Sequence, residues 1–330
     1  MDVFALTRQL VDIESISGNE GAVGERLFKE MSARGFHTTK IPVEKNRFDV
    51  YASTTESPAI VFSTHMDTVP PFIKSSEDAE NIYGRGSCDA KGIIAAQIAA
   101  AERLRKDGMA VGLLFVVGEE RDSMGAKIAN KHAVGSRFLV NGEPTDNRLA
   151  LASKGTLRVE LIALGKMAHS AYPELGESAI DKLLEALRRV RAIELPSDPV
   201  FGPSTLNIGT IQGGRAPNVI PDYAKAELLI RLIGPADQLR KQIVAAVGDI
   251  ARVEFVLEIP FTKLRAVDEL PTMIAAFTTD IPSLNNWGQP LLIGPGSIHV
   301  AHTEREFVCK QELLAAVNLY CQIARSLLRS

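Results

Sequence analysis

The chain has 330 residues, and its 45% hydrophobic and 23% charged content is typical of a soluble globular protein with a substantial core. The formal net charge of −3 argues against a nucleic-acid partner, which usually requires a basic face. No apolar run reaches membrane-spanning length, and the first residues lack the layout of a signal peptide, so we expect a cytoplasmic protein without a membrane partner. The three cysteines show no metal-binding spacing and should be reduced thiols.

Predicted helices and short strands alternate in the first part of the chain. Apolar residues at helical spacing predict helices at 2–13 and 20–34. Then follow a short buried strand at 58–63, an Ala/Ile-rich helix at about 91–106, and buried strands at 111–117 and 137–140. This alternation indicates an α/β layer with a largely parallel sheet, in which functional sites lie just past the strand ends.

The pattern changes between residues 155 and 262. Alternating apolar and polar residues there predict half-exposed strands. The predicted order is strand 156–162, helix 177–193, strands 204–212 and 222–233, helix 236–248 and strand 252–259. This β-α-β-β-α-β order is the split βαβ, ferredoxin-like arrangement. We therefore predict a mixed, largely parallel α/β domain in two parts, 1–154 and 263–330, with an inserted α+β domain at 155–262. The second part ends in an amphipathic helix at about 310–328.

Side chains that can bind metal ions occur in five separated segments. Two imidazoles and at least three carboxylates suit a pair of zinc or related divalent ions. Two such ions bring four positive charges, which three carboxylates and a bridging hydroxide nearly neutralise. The candidate residues are His65 and Asp67, Asp89, Glu119 and Glu120, Glu143, and His302.

His65 and Asp67 stand two apart at a strand end, so both project from the same face. The Asp67 carboxylate can then accept from the far ring nitrogen of His65 and set its tautomer, although a chance His-x-Asp is an equal alternative. Asp89 follows a glycine-rich turn and could bridge two ions, or simply cap the helix that follows. The turn matches neither the Walker nor the dinucleotide-binding spacing.

Glu119 and Glu120 are adjacent on a loop after a buried strand. One of the two can bind a metal while the other stays free as a general base, unless both lie on a solvated loop. Glu143 has a similar position and the same alternative. His299 and His302 compete for the last ligand position, and spacing alone does not decide between them.

Taken together, these segments resemble the dizinc metallopeptidase and deacylase family that contains acetylornithine deacetylase, succinyl-diaminopimelate desuccinylase, acetyl-lysine deacetylase, aminoacylase and the glutamate carboxypeptidases. The resemblance covers nearly the whole chain. It implies two Zn²⁺ ions, with Co²⁺ or Mn²⁺ able to substitute. One ion would be held by His65, Asp89 and Glu143, and the other by Asp89, Glu120 and His302. Glu119 would be the general base, with Asp67 behind His65.

The inserted domain resembles the family's lid and dimerisation domain. The segment 165–173 looks like the lid motif, which implies that His169 stabilises the oxyanion, commonly at the site of the other subunit of a homodimer. The resemblance also implies that Arg231 and Asn218 hold the substrate carboxylate and that Gly296 and Ser297 belong to a substrate loop. The ending His-Thr-Glu-Arg-Glu at 302–306 departs from the family's usual His-Thr-Pro-Asp-Glu.

The resemblance thus predicts a zinc-dependent hydrolase that cleaves the amide bond of a small N-acyl amino acid, as acetylornithine and acetyl-lysine deacetylases do in amino-acid biosynthesis. Glutamate at position 143 supports this choice, because the aminopeptidase branch tends to carry aspartate there. A dipeptidase or carboxypeptidase of the same family is the alternative. A metal-binding relative without catalysis is disfavoured, because Glu119 and the ligand set are intact.

Overall fold

The computed structural model describes residues 1–329. The helices are α1 (Val3–Val11), α2 (Gly21–Ala33), α3 (Lys91–Lys106), α4 (Met124–Ala129), α5 (Ala179–Arg191), α6 (Asp237–Val247) and α7 (Lys310–Arg329). The strands are β1 (His37–Glu44), β2 (Arg47–Ser53), β3 (Ile60–His65), β4 (Ser76–Glu77), β5 (Asn81–Tyr83), β6 (Val111–Val116), β7 (Phe138–Asn141), β8 (Leu149–Ser153), β9 (Gly155–Leu164), β10 (Ala168–His169), β11 (Ser197–Asp198), β12 (Gly202–Pro203), β13 (Thr205–Gly213), β14 (Val219–Ile220), β15 (Tyr223–Leu232), β16 (Arg252–Ile259), β17 (Thr262–Lys263), β18 (Thr272–Ala275), β19 (Gln289–Leu292) and β20 (Phe307–Cys309).

These elements form two compact units. Unit 1 contains Met1–Leu151, Leu264–Met273 and the chain from Thr279 onward. Unit 2 contains Ala152–Lys263 and the short segment Ile274–Thr278. Within residues 1–329, none of the helices is both long and apolar enough to span a bilayer.

Unit 1 is built on a six-stranded sheet in the order β1-β2-β6-β3-β7-β19. The last four strands of this order pair in parallel, whereas β1 and β2 form an antiparallel hairpin at one edge. β3 and β6 are buried along their whole length, as strands covered on both faces should be. The predicted mixed, largely parallel sheet is confirmed. The β1–β2 hairpin was not predicted, because the mostly exposed edge strand β1 carries little apolar signal.

Helices α1, α3 and α7 contribute to one apolar core with the strands of this sheet. Asp2 begins α1 by accepting a hydrogen bond from the backbone of Ala5, and the helix then buries Leu6 and Leu10. The small alanine side chains of α3 allow it to be buried on nearly every side. This core fixes the positions at which the parallel strands end.

Unit 2 contains a four-stranded antiparallel sheet in the order β13-β15-β9-β16. Helices α5 and α6 bury their apolar faces in the same core as the strands, and Ser178 caps the start of α5. In chain order the four strands of this sheet and the two helices run β9, α5, β13, β15, α6 and β16, that is strand, helix, strand, strand, helix, strand. The predicted split βαβ, ferredoxin-like domain is therefore confirmed, as is its insertion into the α/β unit.

A buried ion pair joins β2 of unit 1 to the turn before α2. Arg47 donates from Nε and Nη2 to the carboxylate of Glu20 at 2.7 and 2.8 Å, and both side chains are nearly inaccessible. Glu20 also accepts from the backbone of Gly18. Removing one partner of such a pair leaves the other charge buried without compensation.

We therefore expect Arg47→Ala to lower the free energy of unfolding by about 3–5 kcal/mol. Arg325→Ala is the matched control, because Arg325 pairs with Asp107 at the surface, where such pairs contribute about 1 kcal/mol or less. Urea unfolding can be followed by the fluorescence of Trp287, the single tryptophan, which is buried in unit 1. Equal losses in the two variants would contradict the role given to the buried pair.

Candidate metal centre

Histidine 65 is the last residue of β3 and lies at the carboxyl edge of the parallel sheet. Its ring is buried, and Nδ1 lies 3.0 Å from the backbone oxygen of Asp67. Nε2 lies 2.8 Å from Asp89 Oδ1 and 3.9 Å from Glu143 Oε2. The contact at Nδ1 assigns the proton to that nitrogen, which leaves Nε2 free to bind a metal among the carboxylates.

Asp89 lies between two histidines. Its Oδ1 faces His65, while its Oδ2 lies 3.3 Å from Nε2 of His302. The same His302 nitrogen is 2.8 Å from Glu120 Oε1. One ligand atom from each of His65, Asp89 and Glu120 lies within 4.8 Å of the others, which is a spacing that can hold a metal ion. A carboxylate whose two oxygens face different imidazoles is arranged to bridge two ions.

Glu143 follows β7 and lies at the same edge, where it is only 4% exposed. Within residues 1–329, its Oε1 is buried and makes no hydrogen bond. A buried carboxylate oxygen without a donor is unfavourable unless a cation is present. The donor set and this oxygen therefore fit a centre for divalent ions.

The pKa values at the site follow from this crowding. Burial alone would lower the pKa of His65, but its hydrogen bonds with Asp67 and Asp89 raise it well above the usual value. Hydrogen bonds with Asp89 and Glu120 raise the pKa of His302 to about 10. Burial is the main cause that raises the pKa of Glu119 well above its usual value, and the negative charge of Glu143 is the second. Without metal, the centre therefore retains protons that a cation would have to displace.

Asp67 differs in detail from the sequence-based expectation. Its carboxylate Oδ1 is 3.5 Å from His65 Nδ1, farther than its own backbone oxygen. The carboxylate instead accepts from the backbone N–H groups of Glu119 and Glu120, at 3.1 and 3.2 Å, and from the hydroxyl of Ser17 at 2.6 Å. Asp67 therefore orients the loop that carries the two glutamates. Sequence spacing could not reveal this contact, because Ser17 and Glu119 each lie about fifty residues away along the chain.

Three further buried polar residues near this centre were not predicted from the sequence. Asp280 is 1% exposed, and within residues 1–329 neither of its oxygens makes a hydrogen bond of ordinary geometry. Burial raises its pKa to about 7. Arg85 and Glu306 form an ion pair next to Asp89 and His302. Both lie in segments that the sequence had singled out, but their separation of 221 positions gave no signal that they would meet.

The predicted substrate loop also belongs to unit 1. Gly296 has a φ of 82°, and a Cβ there would lie 2.5 Å from Cys88 Sγ, so the position requires glycine. The backbone N–H of Gly296 donates to the carboxylate of Glu312. Ser297 is partly exposed and forms an isolated antiparallel β-bridge with Thr145. The role of Gly296 and Ser297 in substrate binding stays a prediction.

The remaining predicted residues lie in unit 2, where they occupy opposite ends of the sheet. His169 and Asn218 are neighbours, because β10 pairs with β14 and the backbone of Ser170 donates to Asn218. The β10–β14 pair adjoins the sheet at the Tyr223 end of β15. Arg231 lies near the other end of β15 and donates to Thr156 Oγ1 at 2.8 Å.

The separation can be measured along β15. Tyr223 and Arg231 are eight residues apart in an unbroken ladder, or about 27 Å at roughly 3.4 Å per residue. The expectation that Arg231 and Asn218 together hold one carboxylate therefore does not fit a single copy of unit 2. His169 is exposed, and its Nδ1 accepts from the backbone of Ala171 at 3.1 Å, which leaves Nε2 as a free donor.

Comparison with known proteins agrees with this architecture. Residues 151–256 match the peptidase dimerisation domain family. A peptidase M20 domain-containing protein of Schizosaccharomyces pombe is 36% identical over 97% of this chain and 83% of its own length. A probable carboxypeptidase of Aspergillus terreus is 37% identical over 95% of this chain and 83% of its own length.

A solved structure extends the likeness to the whole fold. The crystal structure of a tripeptidase from Staphylococcus aureus matches with a TM-score of 0.82 over 98% of each chain, at 22% identity. At that identity the match shows a common fold. The identity and coverage of the S. pombe relative go further, and they show that this chain belongs to the M20 family of metal-dependent peptidases.

Proposed function

We propose that this M20 peptidase is a dizinc carboxypeptidase that hydrolyses short peptides next to a free C-terminal carboxylate. The observation that carries the proposal is Asp89, whose two carboxylate oxygens face His65 and His302. In this arrangement His65, Asp89 and Glu143 would hold one ion, and Asp89, Glu120 and His302 would hold the other. Zinc suits this mixture of imidazole and carboxylate ligands, and Co²⁺ or Mn²⁺ could substitute.

The choice of substrate departs from the first expectation from the sequence. The resemblance pointed to N-acyl amino acids, with peptides as the alternative. The A. terreus relative is named a probable carboxypeptidase and the S. aureus structure a tripeptidase. These names favour peptides over N-acyl amino acids as the substrate class. Both substrate classes present an amide bond close to a free carboxylate, so the same centre serves either.

The chain's own residues supply the proton transfers. Two divalent ions, when bound, lower the pKa of a water molecule and polarise a carbonyl oxygen. Glu119 is held beside the centre by the contact of its backbone with Asp67, and it is not required as a ligand. Its carboxylate can therefore take the proton of the attacking water and return it to the leaving amine. The free Nε2 donor of His169 suits stabilisation of the oxyanion.

Arg231 is the proposed partner of the substrate carboxylate. It is partly buried, which lowers the pKa of its guanidinium, and no carboxylate in residues 1–329 forms an ion pair with it. A guanidinium in this state favours a bidentate anionic partner. A substrate carboxylate would supply the missing negative charge.

We further propose a homodimer through unit 2. One short peptide cannot reach both ends of β15, which is about 34 Å long at roughly 3.4 Å per residue. His169 and Arg231 can therefore serve one substrate only if they come from different copies of the chain. A twofold dimer provides two such equivalent sites. The match of residues 151–256 to a peptidase dimerisation domain supports this assembly.

The first prediction concerns substrate class. Dipeptides and tripeptides with a free C-terminal carboxylate should be hydrolysed, and amidation of that carboxylate should lower kcat/KM roughly 100-fold or more, because Arg231 is left unpaired. Arg231→Met should lose most of this discrimination. Arg158→Met is the matched control, because Arg158 lies on the same face of the sheet but already pairs with Glu227. A preference for N-acetylated amino acids over peptides would instead support the deacylase interpretation.

The second prediction concerns metal and pH. Metal-free protein should bind two divalent ions per chain by elemental analysis. At pH 7 the proton on His302, whose pKa is raised to about 10 by hydrogen bonds with Asp89 and Glu120, must be displaced. Affinity for Zn²⁺ should therefore rise as the pH increases from about 6 to about 8. Calorimetry in buffers of different ionisation enthalpy would count the released protons. Binding of one ion at most would contradict the dinuclear centre.

The third prediction concerns assembly. Glu119→Gln should retain metal but lose roughly 10²–10⁴-fold in kcat, because the base is absent. His169→Ala should also be nearly inactive. Mixing the two under conditions of subunit exchange should restore about a quarter of the wild-type rate, because half of the dimers are mixed and each has one intact site.

The control for this experiment mixes Glu119→Gln protein with Arg231→Ala protein under the same exchange conditions. If Arg231 serves the centre of its own chain, no mixed dimer has an intact site, and activity should stay low. Recovery in this control, or none in the first mixture despite proven exchange, would contradict the proposed division of residues between subunits.

A further inference from the structure

A second buried ion pair, Arg85–Glu306, lies between two loops of the candidate metal centre. Nη1 of Arg85 is 2.6 Å from Oε2 of Glu306, and both side chains are at most 2% exposed. Buried pairs of this kind often contribute little net stability, because desolvation of both charges offsets their attraction. Their presence next to Asp89 and His302 therefore suggests a role other than stabilising the fold.

Glu306 holds the loop that carries Asp89. Its Oε1 accepts from the backbone N–H groups of Gly86, Cys88 and Asp89, at 2.9, 3.2 and 3.1 Å. Its Oε2 accepts from Arg85, so both oxygens are occupied by donors. A nest of backbone N–H groups of this kind requires an anion. A glutamine would turn an NH₂ group towards one set of donors and break part of the network.

Arg85 connects this loop to the segment that carries His302. Nη1 also donates to the backbone oxygen of Thr303 at 3.1 Å, and Nη2 to that of His302 at 3.4 Å. His302 itself is half exposed and has a φ of 66°, so packing does little to hold its ring. Apart from the contacts of Nε2 with Glu120 and Asp89, the position of this imidazole depends on its backbone, which Arg85 fixes relative to the Asp89 loop.

We infer that Arg85 and Glu306 are positioning residues that set the distance between Asp89 and His302, and with it the affinity for the ion held by Asp89, Glu120 and His302. Neither residue is a ligand, because each is fully engaged by other groups. The pair acts through Asp89 Oδ2 and His302 Nε2, which are 3.3 Å apart. The inference rests on the dinuclear centre proposed above and is independent of the substrate.

The test is a metal titration of apoprotein with Co²⁺, followed by its visible absorption, together with competition against a chelator. Glu306→Gln should lower the affinity for at least one of two ions 10- to 100-fold, the usual effect of losing a group that orients a ligand. Arg85→Lys keeps the positive charge but loses the several N–H donors of the planar guanidinium, and it should lower the metal affinity by a similar factor. High metal concentration should restore much of kcat in both variants.

Glu20→Gln is the matched control, because it disrupts the other buried Arg–Glu pair, and within residues 1–329 the carboxylate of Glu20 hydrogen-bonds only to Arg47 and the backbone of Gly18, not to the loop of a proposed ligand. It should lower the melting temperature of the apoprotein at least as much as Glu306→Gln does, while metal affinity stays unchanged. A merely structural role for Glu306 predicts the same metal affinity in both variants.

The outcomes separate the two proposals. If wild-type protein binds fewer than two ions, the dinuclear centre fails. If wild-type protein binds two ions and both Glu306→Gln and Arg85→Lys bind them within about threefold of the wild-type affinity, the inference about the pair is overturned. Should Glu306→Gln not fold, Arg85→Lys provides the same comparison.

Discussion

The concentration of negative charge at the carboxyl edge of the unit 1 sheet is the constraint on which the rest of the site depends. Glu119, Glu120 and Glu143 follow the buried strands β6 and β7, and Asp89 lies in the buried turn before α3. Burial, followed by the neighbouring negative charges, raises the pKa values of Glu119 and Glu143 well above their usual values. The imidazoles of His65 and His302 offset part of this negative charge. The negative charge that stays uncompensated makes the edge suited to divalent cations and unsuited to a neutral ligand.

Carboxylates that bind no metal hold the ligand loops. Asp67 accepts from the backbone of the loop at 119–120, and Glu306 accepts from the backbone of the loop at 86–89. In each case a carboxylate from one part of the chain fixes the main chain of another, so the ligand is aimed before any ion arrives. Preorganisation of this kind removes conformational freedom that would otherwise be lost on metal binding. The half-exposed His302 gains most from it, since its own side chain has few packing contacts.

Unit 2 keeps two proposed substrate-binding residues apart along one strand. The antiparallel ladder of β15 with β9 runs without a break, and this rigidity keeps Arg231 apart from the β10–β14 pair that carries His169. A flexible lid could bring both groups to one substrate, whereas a continuous sheet cannot. Two copies of a rigid sheet can do so if a symmetry axis relates them. The physical basis for the proposed dimer is therefore the stiffness of the sheet as well as the likeness to other dimerisation domains.

Local patterning in the sequence determined the elements and the ligand set. The helices α3 and α7, the buried strands and the split βαβ order follow from periodicity, and the meeting of candidate ligands such as His65 and Glu143 could be predicted because strand ends converge. Only the tertiary structure decided which contacts hold these elements and candidate ligands in place. The edge hairpin β1–β2, the contact of Asp67 with Glu119, the meeting of Arg85 with Glu306 and the separation of Asn218 from Arg231 depend on pairings between distant parts of the chain. Such pairings leave no periodic trace in one sequence, because they are set by how whole elements pack.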